Sequence, residues 1–174
     1  MWGVELLAID PADHLLEIGC GAGAAVSLIC ERLVNGHVTA IDRSATAVRS
    51  ACRRNRAHVE AGRATILRLS LEEADFGGQR FRKILAVNVN AFWTRPTPSL
   101  ARLKALLAPG GAAYLVYQAP SASQARRLVD ELTRAIPDGG LAVARVLHEE
   151  RFPGPLVGVV VARTRSLDDR GGAG

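Results

Sequence analysis

Only three cysteines occur in the 174 residues, Cys20, Cys30 and Cys52, an odd number with no CxxC spacing. That excludes a disulfide framework and a cysteine-based zinc site, so no metal is expected and the thiols should be buried and inert. No stretch approaches the roughly 18 uninterrupted apolar residues of a membrane span. The N-terminus MWGVELLAID has neither a basic region nor an apolar core ahead of a small-residue cleavage site. A cytoplasmic location is therefore expected, with no membrane partner. Lysine is also scarce: of 22 basic residues only Lys83 and Lys104 are lysines, and the rest are arginines. A net charge of +5 and a pI near 9.7 raise the question of nucleic acid. The excess is small, however. Its densest stretch, Arg49, Arg53, Arg54 and Arg56, has the helical spacing that puts Arg49, Arg53 and Arg56 on one solvated face.

What is present is a regular alternation. Short, continuous aliphatic runs at 14–19, 37–42, 64–69, 83–89 and 111–118 read as strands buried on both faces. Helical periodicity lies between them at 24–34, 44–57 and 98–108, the last closed by Pro109, Gly110 and Gly111. The third crossover, LEEADFGG (71–78), has room for only about a turn of helix. This pattern predicts an α/β fold with a doubly wound parallel sheet. A helix over 121–136 follows, capped by Ser121 or Ser123 and stopped by Pro137, Asp138, Gly139 and Gly140. The last two strands, 141–150 and 155–163, are joined only by RFPG, too short for a crossover helix, so they should be antiparallel neighbours. Residues 1–163 are read as one domain and 164–174 as a disordered tail.

The first strand runs straight into LLEIGCGAG (15–23). A glycine-rich turn between the first strand and first helix of a doubly wound sheet lies where ligands bind, beyond the carboxyl ends of the strands. Gly19, Gly21 and Gly23 allow positive φ and close approach of a ligand to the main chain. The second strand ends at Asp42, where a carboxylate can accept both hydrogen bonds of a ribose diol. The ligand is thus of adenosine type, and two classes stay open. Gly19-x-Gly21-x-x-Ala24 fits a dinucleotide fingerprint, the mark of an NAD(P)-dependent reductase. Glu17 argues against it, because a carboxylate repels a pyrophosphate but attracts an ammonium or sulfonium.

E-x-G-x-G-x-G at 17–23, Asp42, LLAPGG (106–111) and the closing hairpin together resemble the class I S-adenosylmethionine-dependent methyltransferases, over about Pro11 to Arg163. The resemblance implies a three-layer, Rossmann-like seven-stranded sheet of order 3-2-1-4-5-7-6 with strand 7 antiparallel, and S-adenosyl-L-methionine as cofactor. Gly19, Cys20, Gly21 and Gly23 would line its methionine and ribose part, with Cys20 as a small filler rather than a nucleophile. Glu17 would help position the amino-acid end, Asp42 would hold the ribose hydroxyls, and Arg43 and Ser44 would follow at the adenine edge. Many members carry an acid and a small residue after the third strand to meet the adenine; here Ser70 and Leu71 stand there. The Ser70 hydroxyl can accept the same bond, or it can cap a short helix with Glu73 as its capping-box partner.

The acceptor side should lie at the end of the fourth strand. Asn88, Asn90, Phe92 and Trp93 would project beside the methyl group, Asn88 bordering the cofactor as well. The amides would orient an acceptor while Phe92 or Trp93 stacks on it, unless these rings pack the following helix onto the sheet. Tyr117 and Gln118 are further candidates. The stretch is not the N-P-P-[YF] signature of the family's adenine and glutamine N-methylating members. No histidine makes a persuasive base: His14 and His37 start strands, His58 follows a helix on that same side, and His148 ends the sixth strand at the sheet edge. The catalytic residue is left unassigned. The short lead-in to the first strand provides no roof over the site. Either the substrate covers it, or a partner subunit such as a second copy does, or the natural start lies upstream. A small organic acceptor is slightly preferred to RNA or protein. A module that binds the cofactor without catalysis is the non-enzyme alternative.

Overall fold

The computed structural model describes residues 1–150 and 153–163. In order the chain forms α1 (Trp2–Glu5), β1 (His14–Ile18), α2 (Ala24–Cys30), β2 (His37–Asp42), α3 (Ala45–Arg54), α4 (Arg56–Glu60), β3 (Ala64–Arg68), β4 (Phe81–Val87), α5 (Ala91–Thr94), α6 (Pro96–Leu106), β5 (Leu107–Gln118), α7 (Ala122–Asp138), β6 (Leu141–Glu149) and β7 (Leu156–Arg163). The sheet has the expected order, β3-β2-β1-β4-β5-β7-β6, with β7 antiparallel to both neighbours. The expected tail, 164–174, lies outside the described residues, as do Arg151 and Phe152 of the RFPG connection.

The continuous apolar strands are explained by two cores, one on each face. In β1 successive side chains alternate between them: Leu16 and Ile18 pack with Leu103 of α6 and Leu132 of α7, while Leu15 packs with Val26 and Ile29 of α2. The second core also takes Trp2 and Val4 of α1, a short helix that the sequence reading did not anticipate. The Trp2 ring lies over β7 at Gly158, where an added Cβ would come within 3.3 Å of it.

Several boundaries differ from expectation, each for a visible reason. The first long helix ends at Cys30 rather than 34, because the N–H groups of Val34, Asn35 and Gly36 turn to the Pro11 carbonyl. The segment 44–57 breaks at Asn55, so Arg56 belongs to α4 and does not continue the arginine face of α3. The basic residues there are locally occupied: Arg49 donates to Thr46, Arg53 to Ser50, and Arg56 pairs with Glu60. No helix forms between β3 and β4, where 69–80 is turns and coil. Strand β5 begins at Leu107, four residues early, because Leu107 pairs with Phe81 across a register shift that absorbs Pro109 and Gly110. Helix α7 is capped by Ser121, whose Oγ accepts from the Gln124 N–H at 3.3 Å, and it runs past Pro137, which therefore does not stop it. Among the described residues no helix is long and apolar enough to cross a membrane.

Candidate functional site

The turn after β1 is held open by main-chain geometry. Gly19, Gly21 and Gly23 all have positive φ, 71°, 54° and 76°. The N–H groups of Gly19 and Cys20 both donate to the Ile41 carbonyl of β2, which draws the turn across the end of the neighbouring strand. The glycines have separate tasks. A Cβ on Gly19 would stand 2.7 Å from the Val89 side chain, whereas nothing lies within 4 Å of one on Gly21. A Cβ on Gly23 would stand 2.5 Å from Asn55 Nδ2 and 2.9 Å from the Ala51 backbone, so this glycine serves the contact between the turn and α3.

Asp42 is fixed beneath the turn. Its Oδ2 accepts from the Gly21 N–H at 2.9 Å and its Oδ1 from the Ser44 N–H at 2.8 Å. A carboxylate has about four acceptor positions, so each oxygen keeps one for a ligand. Ser44 itself caps α3 by accepting from the Ala47 N–H. Glu17 is only 3% exposed, its Oε2 has no hydrogen-bond partner, and it lines neither cavity described below. Burial, with the nearby Asp42 charge adding to it, pushes its pKa up to about 8. Cys20 is buried, and desolvation, then Glu17 and Asp42, push its thiol up to about 12, which leaves it protonated and a poor nucleophile.

Two adjoining cavities open at the carboxyl ends of the strands. The first, about 430 Å³, runs from Ile18 and Gly19 past Asp42 and Arg43 to Ser70 and Leu71. Ser70 donates to Glu73 Oε2 at 2.6 Å and accepts from the Glu73 N–H at 3.3 Å. It thus makes the capping interaction on a turn that has no helix, and still lines the cavity. On the far wall Arg95 pairs with Glu72 and joins the coil after β3 to the start of α6.

The second cavity, about 360 Å³, lies between the ends of β4 and β5 and the first half of α7. Asn88 and Asn90 border both cavities. Asn88 holds a left-handed φ of 55°, a conformation asparagine tolerates better than most residues, and its Oδ1 accepts from the Gln118 N–H at 2.9 Å. Trp93, 39% exposed, lines the second cavity with Tyr117 and Gln118. Tyr117 donates to the Val89 carbonyl at 2.8 Å, and burial raises its pKa above the ordinary tyrosine range. Phe92 does not project into the mouth: it is fully buried, packing α5 onto the core. The sequence reading missed Asn55, the Arg95–Glu72 pair and the α7 wall of Gln124, Arg127, Leu128 and Glu131. Only Asn55 left a signal, as a turn-favouring residue inside a helical run.

No histidine lines either cavity. His14 and His37 face each other at the opposite ends of β1 and β2, where His37 bonds Gly62 and Thr65. His58 lies in α4, and His148 is on the edge strand β6.

This architecture has many counterparts. The chain is 26% identical over 117 residues to the uncharacterized methyltransferase YdaC of Bacillus subtilis, covering 67% of this chain and 62% of that protein. It is 31% identical over 111 residues to trans-aconitate 2-methyltransferase of Delftia acidovorans, covering 62% of this chain and 40% of that one. The chain therefore spans less than two thirds of the length of these relatives. A solved geranyl diphosphate methyltransferase in complex with SAM superposes with a TM-score of 0.73 at 15% identity, covering 94% of this chain and 83% of the other. The profile of the methyltransferase domain matches residues 15–111, from the first residues of β1 through the glycine turn and Asp42 to β5, and the chain belongs to that family.

Proposed function

We propose that residues 1–163 form one domain that transfers a methyl group from S-adenosylmethionine to a small organic acceptor. What carries this reading is the pair of carboxyls flanking the glycine turn: Asp42, held by two backbone N–H groups with an acceptor position free on each oxygen, and Glu17, buried with an unpartnered oxygen. The first suits a ribose diol. The second is a site that a cation would relieve and a pyrophosphate would not. The residues therefore fit this cofactor better than a dinucleotide.

Bound there, S-adenosylmethionine supplies a methyl group on a sulfonium, a good leaving group. Asp42 would hold the ribose, Glu17 would favour the ammonium end, and Ser70 and Leu71 would meet the adenine, with Arg43 at its edge. Asn88 and Asn90 stand where the two cavities join, and with Trp93 they would orient the acceptor and keep water out. Positioning of that kind contributes about 7–11 kcal/mol to a bimolecular transfer. The protein's part would be chiefly alignment, and an acceptor proton would leave to water, to a group on the substrate or to Glu131 in the wall of the second cavity.

Calorimetric titration with S-adenosylmethionine, S-adenosylhomocysteine and NAD(H), repeated on Asp42→Ala, tests the reading. Micromolar binding of the first two, weakened by the substitution, with none of NAD(H), is the expected result. Binding of NAD(H) alone, or of nothing, overturns it. Binding without turnover on any acceptor would favour a cofactor-binding module instead.

A further inference from the structure

Asn55 is the most completely enclosed polar side chain near the site, with no exposed surface, yet it touches neither cavity. All its hydrogen-bonding groups are engaged. Its Nδ2 donates to the Gly23 carbonyl of the turn and to the Ala51 carbonyl of α3, both at 2.9 Å, and its Oδ1 accepts from the Ser27 hydroxyl of α2 at 2.7 Å. Two carbonyls on one side and a hydroxyl on the other leave only this orientation of the amide. The neighbouring Arg54 donates from Nε to the Ala22 carbonyl at 2.9 Å. The end of α3 thus grips the last two residues of the turn, while Asp42 and Ile41 grip its first three. Gly23 and Asn55 are a matched pair, since any side chain on Gly23 would occupy the position of the Asn55 amide.

We infer that Asn55 is a positioning residue for the cofactor: by clamping the Gly23 carbonyl it sets the shape of the Gly19–Gly23 turn, and so the affinity for whatever lies against it, without touching the ligand. The inference rests on the cofactor reading above. It also accounts for the break between α3 and α4, because the helix gives up its continuity where its last side chain turns back to the glycines.

The test uses S-adenosylhomocysteine calorimetry together with amide hydrogen exchange on the full chain. Asn55→Asp keeps the size and the bond from Ser27, but turns a carboxylate towards two carbonyls. Ser27→Ala leaves both amide donors in place and removes the bond to Asn55 Oδ1 together with the longer one, 3.3 Å, from the Ser27 hydroxyl to the Gly23 carbonyl. Asn55→Asp should lower affinity roughly tenfold or more and Ser27→Ala by about two- to threefold. In both, exchange should quicken at the turn and the first turn of α2 while β4 and β5 stay protected, a local pattern that a purely structural role would not produce. Wild-type affinity in folded Asn55→Asp would overturn the inference, as would exchange rising equally through the sheet. Should Asn55→Asp fail to fold, Ser27→Ala decides: unchanged affinity and unchanged turn exchange overturn it. If the wild-type chain does not bind S-adenosylhomocysteine, the cofactor reading falls instead, and the exchange arm still shows whether Asn55 holds the turn.

Discussion

The two cavities share Asn88 and Asn90 but are built in different ways. The first takes its shape from main chain: a turn of three positive-φ glycines, N–H groups of Gly19 and Cys20 bridging to the Ile41 carbonyl of β2, and a carboxylate locked by the N–H groups of Gly21 and Ser44. The second takes its shape from the exposed side chains of Trp93 on α5, Gln118 on β5, and Gln124 and Arg127 on α7. A site made of backbone tolerates few substitutions and keeps one ligand; a site made of side chains can be rewritten without disturbing the fold.

The largest effect should come from filling the first cavity's floor. Gly19→Val puts a β-branched residue at φ 71° and carbon within 2.7 Å of Val89, so cofactor affinity should fall by about a hundredfold or more in calorimetry. Retained affinity would show that the turn is not what shapes that cavity. Next comes Glu17→Gln, read against pH. Glu17 has its folded pKa raised from 4.5 to about 8, so across that window the unfolded chain is ionised while the folded chain keeps its proton. Stability from this group is therefore lost as pH rises from about 4.5 to 8, and melting temperatures of wild type and Glu17→Gln should diverge in favour of the variant at pH 8–9. Parallel melting curves across that range would contradict the buried, unpartnered carboxyl. Binding of S-adenosylhomocysteine at pH 7, compared in buffers of different ionisation enthalpy, should release about one proton in wild type and none in the variant.

A smaller effect sharpens the contrast from the other side. Trp93→Ala should reduce turnover of an accepted substrate by about tenfold while leaving cofactor affinity within twofold, since the ring borders only the second cavity. Equal losses in both would mean that the cavities work as one. Smallest is Arg95→Ala: its pair with Glu72 is exposed on the arginine side, so a change in melting free energy of less than about 1 kcal/mol is expected, shrinking further in high salt.

The first cavity was legible because its parts are adjacent in the chain or fall at fixed offsets from a strand end. Gly19, Gly21, Asp42, Ser70 and Leu71 could be placed by counting along a parallel sheet, and the structure brings Gly19, Asp42, Ser70 and Leu71 to one wall. Glu17 was named for its charge, and the structure leaves it 3% exposed and close enough to Asp42 to feel its charge, while it lines neither cavity. Phe92 and Trp93 show the limit more sharply. Neighbours in sequence and both aromatic, they part company because α5 presents one to the core and the other to solvent, a choice made by α6 and α7 and not by the local pattern.

The sequence by itself determined the strand and helix alternation, the antiparallel closing pair, the glycine turn and the acid that stands beneath it, because periodicity, chain reversal and positive φ are properties of neighbouring residues. The tertiary structure alone decided that Gly23 packs against α3, that Asn55 ties the two together across 32 residues, and that α7 supplies one wall of the second cavity. Those outcomes depend on which distant elements share a face of the sheet, and no local spacing records that.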